Sequence, residues 1–324
     1  MPKTKHLPNS LYEAIRYFAN PDVALTFLVS LRWPNGVTCP ACDAKNPGFL
    51  KTRRIWKCRD CGRQFSVKLG TIFEDSPIGL DKWLPAVWSL VNSKNGISSY
   101  ELGRALGVTQ ATAWFMNHRI RLAMQSRSFA KMKGSVEADE TFIGGKAKFM
   151  HWSKRNRVIR GTGGMDKTPV LGLLERGQDG KPSRVRATVA KNLSQRGIRG
   201  HVLAGVEKGA HLYTDTTQQY GKGKLPKVYQ HEMINHAKEY VRGQVHTNSL
   251  ENFWSLLKRA IKGTYVSVDP FHLASYVDEQ VRRFNERKSN DRARFVSVLA
   301  DIVGKRLTYR DLIGADLSPA TTQG

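Results

Sequence analysis

Acidic residues are scarce in this sequence. Among its 324 residues, 27 Asp and Glu stand against 52 Lys and Arg, which leaves a net charge of +25. A globular chain with that excess repels itself unless an anionic partner neutralises it, and nucleic acid is the commonest such partner. The basic residues are spread along the whole chain, which favours an extended DNA path over a basic tail. We therefore expect the chain to bind DNA.

Long apolar runs are also missing. Residues 1–18, MPKTKHLPNSLYEAIRYF, lack the uninterrupted apolar segment of a signal peptide, and no stretch approaches the ~20 apolar residues that span a bilayer. We therefore expect no membrane partner and a cytoplasmic location. Apolar residues still amount to 40%, which is enough for a buried core, and the length predicts two or three domains.

Cysteine is rare as well, and a reducing cytoplasm favours metal binding by thiols over disulfides. Two Cys-x-x-Cys knuckles, with 15 residues between them, contain all four cysteines: Cys39, Cys42, Cys58 and Cys61. Two such knuckles complete a tetrahedral zinc site, and short strands predicted at Phe49–Leu50, Arg54–Trp56 and Gln64–Val67 indicate a zinc ribbon. Four thiolates leave no open position for chemistry, so the Zn2+ is expected to be structural. Free or redox-active cysteines are the alternative, but no thioredoxin-like βαβ pattern surrounds them.

A helix-turn-helix is predicted inside a helical block at residues 80–125, within GISSYELGRALGVTQATAWFMNHRIRLAM. Ser98 and Glu101 form a capping-box pattern. Gly107 supplies the turn, and Thr109 can cap the second helix. The candidate DNA contacts on this helix are Gln110, Thr112, Arg119 and Arg121. A helical hairpin that only packs has the same pattern, so both interpretations stay open.

The order of the remaining elements predicts a multidomain α+β or α/β chain. After the basic linker Lys131–Gly134, strands are predicted at 135–145, 169–177, 184–190, 210–215 and 227–229, and helices at 192–205, 249–261 and 270–287. Three strands, a helix, a strand and then helices is the order of an RNase-H-like domain, a mixed sheet flanked by helices. The predicted segments are an N-terminal helix with zinc ribbon, a helix-turn-helix region, the RNase-H-like domain and a C-terminal extension: 1–75, 76–130, 135–290 and 291–324.

Two aspartates are candidates for a catalytic site. Asp139 lies within its predicted strand and Asp215 at the end of another, where a carboxylate is costly unless it is paired or binds a metal. Each has an ordinary alternative, because Asp139 could pair with an arginine and Asp215 could start a turn or cap a helix. In an RNase-H-like fold, two strand carboxylates and one on a later helix converge on a pair of divalent ions. Oxygen ligands favour Mg2+ or Mn2+ over zinc.

The third carboxylate of such a site would be Glu251. Asn248, Glu251, Ser255 and Lys258 fall at i, i+3, i+7 and i+10, which is one face of a helix. Glu251 would bind metal, and Lys258 would contact the DNA backbone near the cut. Alternatively, Asn248 is the N-cap and Glu251 its capping-box partner, which stabilises the helix by ~1 kcal/mol. The spacing leaves both open.

Further basic residues are candidates for phosphate contacts. Arg157 and Arg160 lie in His151–Lys167, a polar, Gly-rich stretch that is predicted to be a loop, and the others follow Glu251 on its helix: Lys258, Arg259 and Lys262.

The chain resembles bacterial insertion-sequence transposases of the fifteen-ninety-five family, which are related to the Merlin transposons. The similarity runs from about Tyr17 to Arg287. It rests on seven motifs: LRWPNGVTCPAC, WKCRDCGRQFSVKLGTIFEDS, GISSYELGRALGVTQATAWFMNHRIR, VEADETFIGGK, LYTDTTQQY, HEMINHAKEYVRG and HTNSLENFWSLLKRAIKGTY. The resemblance implies a zinc ribbon, a helix-turn-helix and a catalytic domain of the DDE type, in which Asp139 and Asp215 are the first two acids. The third position holds an acid or an Asn, followed by Lys, in this family. Glu251, with Lys258 seven residues later, fits the Glu-then-Lys spacing common to DDE transposases, so we assign Glu251, with Asn248 as a supplement or substitute.

The implied reaction is hydrolytic cleavage at transposon ends, followed by attack of the freed 3′-hydroxyl on target DNA, with no covalent protein–DNA intermediate. The resemblance also implies that the protein forms a homo-oligomer on DNA and is associated with the bacterial nucleoid. A DNA-binding regulator or domesticated remnant without chemistry is one alternative. An RNase-H-like nuclease without strand transfer is another.

Overall fold

The computed structural model divides the chain into two compact units, Met1–Met124 with Ser289–Gly324, and Gln125–Lys288. Each unit is described by itself. The residues that the structure describes are 7–125, 130–145, 152–153, 167–178, 180–191, 193–215, 225, 227–234 and 246–315. Within these ranges, no helix combines the length and the apolar content that crossing a membrane requires.

Helices dominate the first unit, and the second is built on a sheet. The described helices are α1 (Leu11–Phe18), α2 (Pro21–Arg32), α3 (Leu80–Asn92), α4 (Ser99–Leu106), α5 (Gln110–Met124), α6 (Gln195–Gly205), α7 (Asn248–Arg259), α8 (Leu273–Asn285), α9 (Asp291–Ala300) and α10 (Tyr309–Ile313), with a π-helical segment, Ala260–Tyr265, after α7. The described strands are β1 (Gly48–Leu50), β2 (Ile55–Lys57), β3 (Gln64–Phe65), β4 (Ser135–Ile143), β5 (Thr168–Glu175), β6 (Arg184–Val189), β7 (His211–Asp215) and β8 (Gln230–Ile234).

The zinc ribbon is an antiparallel sheet of β1, β2 and β3, as its sequence predicts. This sheet is too small to bury an aliphatic core, and aromatic rings do the packing instead. Trp56 stacks on Phe65 with ring centroids 6.0 Å apart, and Trp33 packs edge-on against Trp56 at 5.6 Å. These contacts join the ribbon to the residue that follows α2.

The predicted hairpin of α4 and α5 is present. Ser98 and Glu101 form the full capping box, and Gly107 ends α4 in the left-handed conformation at φ 62°. Thr109 precedes α5, and its hydroxyl accepts from the amide of Thr112 over 3.2 Å. Local sequence therefore determines where these two helices begin and end.

The C-terminal residues pack into the core of the first unit. Phe295 of α9 is buried, and its ring lies 5.0 Å from Trp88 of α3 and 6.0 Å from Phe27 of α2. Val298 and Leu299 belong to the same core. Asp291–Ala300, within the segment 291–324 expected as an extension, thus contributes to the core of the first unit.

The second unit contains a five-stranded mixed sheet in the order β6-β5-β4-β7-β8. β4, β5 and β6 are antiparallel neighbours, whereas β7 and β8 run parallel to β4. This is the predicted RNase-H-like arrangement. One strand is corrected: β8 spans Gln230–Ile234, and the residues 227–229 predicted as a strand precede it.

Helices cover both faces of this sheet. On one face, Val136, Ala138 and Leu173 pack against α6 through Ile198 and Val202. On the other face, Val170 and Leu174 pack against α7 and α8. The helical side chains in this contact are Leu250, Phe253, Trp254, Leu257, Val277 and Val281. α7 therefore lies directly over the central strands.

Candidate active site

The four cysteines of the zinc ribbon form a compact cluster. All four Sγ atoms lie within 4.8 Å of one another, and the pairs Cys39–Cys61 and Cys42–Cys58 are 3.7 Å and 3.6 Å apart. Sulfurs of a tetrahedral site with Zn–S bonds of ~2.3 Å are separated by ~3.8 Å, so this spacing fits zinc. The amide of Cys61 donates to the Sγ of Cys58 over 3.5 Å, a contact that favours the thiolate that zinc requires. The cluster supports one structural Zn2+.

Asp139 and Asp215 lie side by side on adjacent strands. β4 and β7 are parallel with Ala138 opposite Thr214, so the next residues, Asp139 and Asp215, are in register. Partners in register on parallel strands point to the same face of the sheet. Asp139 faces α7, because it shares a hydrogen bond with Trp254 of that helix. The two aspartates therefore occupy one face, at the end of their paired segment.

Glu251 lies in the first turn of α7 and is exposed. The capping-box alternative does not fit this helix: the N-cap is Thr247, no side chain caps it, and Asn248 is already helical. The amide of Glu251 instead donates to the carbonyl oxygen of Thr247 over 3.0 Å. The carboxylate of Glu251 is thus not held by a capping box.

A cleft of about 400 Å³ opens between β4 and α7. It brings together Asp139, Glu251 and Lys258 of the predicted site, and its remaining lining consists of Glu140, Thr141, Trp254 and Ser255. Asp139 and Glu251 thus line the same cleft, and the negative charge of Asp215 raises the pKa of Asp139.

The electrostatics of Asp139 link it to the other two acids. Burial raises the pKa of Asp139 to about 6, and the negative charges of Glu251 and Asp215 raise it as well. Hydrogen bonds from the amide of Glu140 and from Nε1 of Trp254, at 3.0 Å, work in the opposite direction. Lys258 has a pKa lowered mainly by burial and by Lys262, whereas Asp139 raises it. The predicted residues form one electrostatically coupled group.

The carboxylates are more widely spread than the cysteines. Within the described ranges, only the four cysteines form a compact group of three or more metal-ligating side chains. Ligands around two ions ~4 Å apart are spread farther than ligands around one ion. The spacing of the acids therefore differs from that of a single-ion site.

A glycine lets α7 approach the sheet closely. Gly172 of β5 is opposite Asp139, and a Cβ there would lie 2.5 Å from Cζ2 of Trp254 and 3.1 Å from Cδ1 of Leu250. Real Cβ atoms essentially never approach that closely. Only glycine permits the indole ring to lie against β5 and reach Asp139.

Glu137 is a buried residue that the sequence interpretation missed. Its side chain is 0% exposed, and it accepts from the amide of Leu250 over 2.9 Å and from Nε of Arg176 over 2.7 Å. Arg176 also donates to the carbonyl oxygen of His246 over 2.6 Å, just before α7. Glu137 thus accepts a hydrogen bond from an amide in the first turn of α7, where the side chain of Thr247 makes no capping bond. The signal available in the sequence was its position two residues before Asp139, on the same face of the strand.

The candidate DNA contacts divide into exposed and buried residues. Gln110 is exposed at the start of α5, and Thr112 is half-buried. Arg119 and Arg121 are 5% and 1% exposed, and this corrects the expectation that they contact phosphates. Arg119 donates to three backbone carbonyls of its own unit, those of Ile72, Glu74 and Leu307. Arg119 is therefore held by its own unit, and Arg121 is buried within it.

The remaining basic candidates lie in the second unit. Arg259 and Lys262 are exposed at the end of α7 and in the π-helical segment, and Lys258 is half-buried at the cleft. Arg157 and Arg160 lie outside the described residues.

Comparison of this chain with known proteins finds two matching family domains and one related protein. The ISXO2-like transposase domain matches residues 131–285, and the transposase zinc-ribbon domain matches residues 20–64. A Halobacterium salinarum protein, described as an uncharacterized protein in transposable element ISH50, is 29% identical over 255 residues, which cover 76% of this chain and 84% of that protein. The matched ranges contain the four cysteines, the sheet and α7. The chain thus carries the transposase domain and the zinc-ribbon domain of the fifteen-ninety-five family of insertion-sequence transposases.

Proposed function

We propose that this transposase binds the terminal inverted repeats of its insertion sequence, cleaves the DNA there and joins the freed 3′ ends to target DNA. The reaction depends on Mg2+ or Mn2+, with Asp139, Asp215 and Glu251 as the ligands. The observation that carries the proposal is the placement of the acids: Asp139 and Asp215 directly follow the last paired residues of neighbouring parallel strands, and Glu251 of α7 lines the cleft beside Asp139. Burial raises the pKa of Asp139 to about 6, and the charges of Glu251 and Asp215 add to the rise. Carboxylates that repel one another in a cleft are the arrangement that divalent cations relieve.

The donor set fits magnesium. All three proposed ligands offer carboxylate oxygens, which Mg2+ and Mn2+ prefer. The ions, when bound, supply the positive charge that activates the attacking oxygen and stabilises the leaving oxygen in an in-line displacement at phosphorus. Trp254 orients Asp139 through its hydrogen bond, and Lys258 offers a cation to the phosphodiester at the edge of the cleft. Asn248, exposed three residues before Glu251, is the alternative third ligand.

One hydrolysis and one strand transfer follow from this assignment. A water oxygen attacks the phosphorus at the transposon end and displaces the 3′-oxygen, which takes up a proton from the water. The freed 3′-hydroxyl then attacks a target phosphodiester and loses its proton, and the displaced target 3′-oxygen takes up a proton. Neither step joins the protein covalently to DNA.

The remaining predicted residues bind the DNA. The α4–α5 hairpin reads DNA in this proposal, with Gln110 and Thr112 contacting bases at the start of α5. Lys258, Arg259 and Lys262 contact phosphates beside the cleft. Because two transposon ends must be held together for joining, the active form is a homo-oligomer on DNA.

The test uses labelled duplexes from the two ends of the insertion sequence, with Mg2+. We expect wild type to cleave and join them, and Asp139→Asn, Asp215→Asn and Glu251→Gln to lose both activities while still shifting the duplex in gels. Glu207→Gln is the matched control, because Glu207 is an exposed carboxylate of the same unit outside the cleft. Loss of activity in Asn248→Ala, with activity kept in Glu251→Gln, would reassign the third ligand.

Two outcomes would favour the other functions. If wild type and all variants bind the ends alike and none cuts, the protein is a DNA-binding regulator. Cleavage without joined product would identify a nuclease.

A further inference from the structure

A strained, exposed turn ends the helix that carries Glu251. α7 continues into the π-helical segment Ala260–Tyr265, and Val266 follows with φ 62° and ψ −55°. The amide of Ser267 donates to the carbonyl oxygen of Tyr265 over 2.7 Å, so Val266 is the central residue of a γ-turn of the rare, strained kind. A positive φ is a genuine outlier for a β-branched residue, and Val266 is also 77% exposed. Strain of this kind clusters at functional sites.

The residue before the turn, Tyr265, is held by contacts with the helix α8. The hydroxyl of Tyr265 donates to the buried carboxylate of Glu279, which also pairs with Arg283. The ring of Tyr265 packs edge-on against Tyr276, with centroids 4.7 Å apart. These contacts hold the residue that immediately precedes Val266. π-helical segments are also frequent at functional sites.

Val266 follows the basic residues at the end of α7 along the chain. Glu251, Ser255 and Lys258 are spaced by four and three residues on one face of α7, Lys262 follows in the π-helical segment, and Val266 comes directly after that segment. Lys258 is coupled electrostatically to Asp139 and to Lys262. The chain therefore leads from the carboxylates, through two lysines, to an exposed apolar residue.

We propose that Val266 is a wedge that inserts against the base stack of the DNA whose backbone lies along Lys258 and Lys262. The proposal rests on the proposed function, because it takes its DNA path from the cleft. Lysines neutralise phosphates, and rigid apolar side chains beside such contacts unstack base steps in DNA-binding proteins. The basic surroundings favour DNA over a second copy of this chain, which carries the same excess of positive charge. Unstacking would free the strand at the cut to enter the cleft.

The test measures unstacking without cleavage. Full-length protein is mixed, in Ca2+ in place of Mg2+, with short duplexes that tile the DNA on both sides of its gene, each carrying 2-aminopurine at one position. We expect wild type to raise the 2-aminopurine fluorescence at one or two adjacent positions near a transposon end. Val266→Gly loses this rise while its Tm stays equal or increases, because glycine adopts a positive φ without strain. Val266→Leu keeps the rise.

Val303→Gly is the matched control, since Val303 is another exposed valine, at 51%, in the other unit. It keeps the fluorescence rise. The proposal is overturned if wild type raises the fluorescence at no position, or if Val266→Gly gives the wild-type pattern. A Val266→Gly complex of lower mass by light scattering, with the fluorescence rise intact, would identify a subunit contact and also overturn it. A wild-type rise in Ca2+ without any cleavage in Mg2+ would support the wedge and remove the proposed function.

Discussion

Trp254 donates a hydrogen bond from Nε1 to Oδ2 of Asp139 over 3.0 Å, and so joins the helix of Glu251 to the central strand of the sheet. A second bond, from the amide of Leu250 to Glu137 over 2.9 Å, joins the same two elements. Leu250 and Trp254 are four residues apart on the helix, and Glu137 and Asp139 are two apart on the strand. Two bonds at these spacings fix both the position of α7 along β4 and the rotation of α7 about its own axis. The position of Glu251 over the sheet follows from them.

Trp254→Phe should shift the pH dependence of DNA cleavage. The indole hydrogen bond stabilises the charged form of Asp139, so its removal raises the pKa of Asp139 further above about 6. Because the protonated carboxyl is a poor metal ligand, the acid side of the pH–rate profile should move to higher pH. Trp152→Phe, which changes an exposed tryptophan, is the control. Coincident acid limbs in wild type and Trp254→Phe would refute this prediction.

Asp139→Asn should stabilise the metal-free protein while it abolishes cleavage. Burial raises the folded-state pKa of Asp139 to about 6, so the folded state binds a proton more tightly than the unfolded state. The stability linked to this proton is full below the unfolded pKa of ~3.9 and is lost as pH rises through about 6. Ionised Asp139 therefore costs up to ~3 kcal/mol above that pH, and the substitution removes this cost.

Urea unfolding in EDTA measures the effect. The gain in the free energy of unfolding should be largest at about pH 7.5 and fall by more than half at about pH 4.5. Glu207→Gln should show no such pH-dependent gain. A gain that is equal at both pH values would contradict the assigned pKa.

Gly172→Ala should destabilise the second unit and reduce cleavage. The added Cβ would lie 2.5 Å from Cζ2 and 2.7 Å from Cη2 of Trp254, so α7 must shift, at a cost of about 1–3 kcal/mol. Gly200→Ala is the control, because nothing lies within 4 Å of a Cβ there. Trp254→Phe in the Gly172→Ala background removes the clashing indole atoms and should recover part of the stability. Thermal unfolding of the four proteins tests this, and additive effects would argue against a direct clash.

Zinc removal should unfold the ribbon and weaken DNA binding. Elemental analysis should find one Zn2+ per chain, lost in Cys58→Ser and kept in Asp60→Asn, which changes a neighbour between two of the ligands. A chelator should lower the Tm, and Zn2+ but not Mg2+ should restore it. A zinc-free protein with unchanged Tm would show that the cysteines are not a structural site.

Local patterns predicted much of this protein. The cysteine spacing predicted the ribbon, and Ser98, Glu101 and Gly107 predicted where α4 begins and ends. Asp139 was recognisable because a carboxylate in an apolar strand is unusual. Each of these signals lies within a few residues of the structure that it determines.

Long-range packing accounts for what local patterns missed. Arg119 looked like a surface residue of a recognition helix, but Leu307, 188 residues away, accepts its hydrogen bond. Gly172 and Glu137 matter because α7 packs on them, and their roles depend on residues that are far away in the sequence. Among the described strands, β8 lies at one end of the sheet beside β7, and it begins with three polar residues, so its apolar signal is weak.

Manganese binding to the full-length protein, measured by electron paramagnetic resonance without DNA, tests most directly whether the three acids share a divalent-ion site. Wild type should bind Mn2+, and Asp139→Asn, Asp215→Asn and Glu251→Gln should each weaken binding by at least ~10-fold, the effect that loss of even a supporting residue has at metal sites. Glu207→Gln should bind like wild type. Unchanged Mn2+ affinity in Asp215→Asn and Glu251→Gln would contradict the shared site.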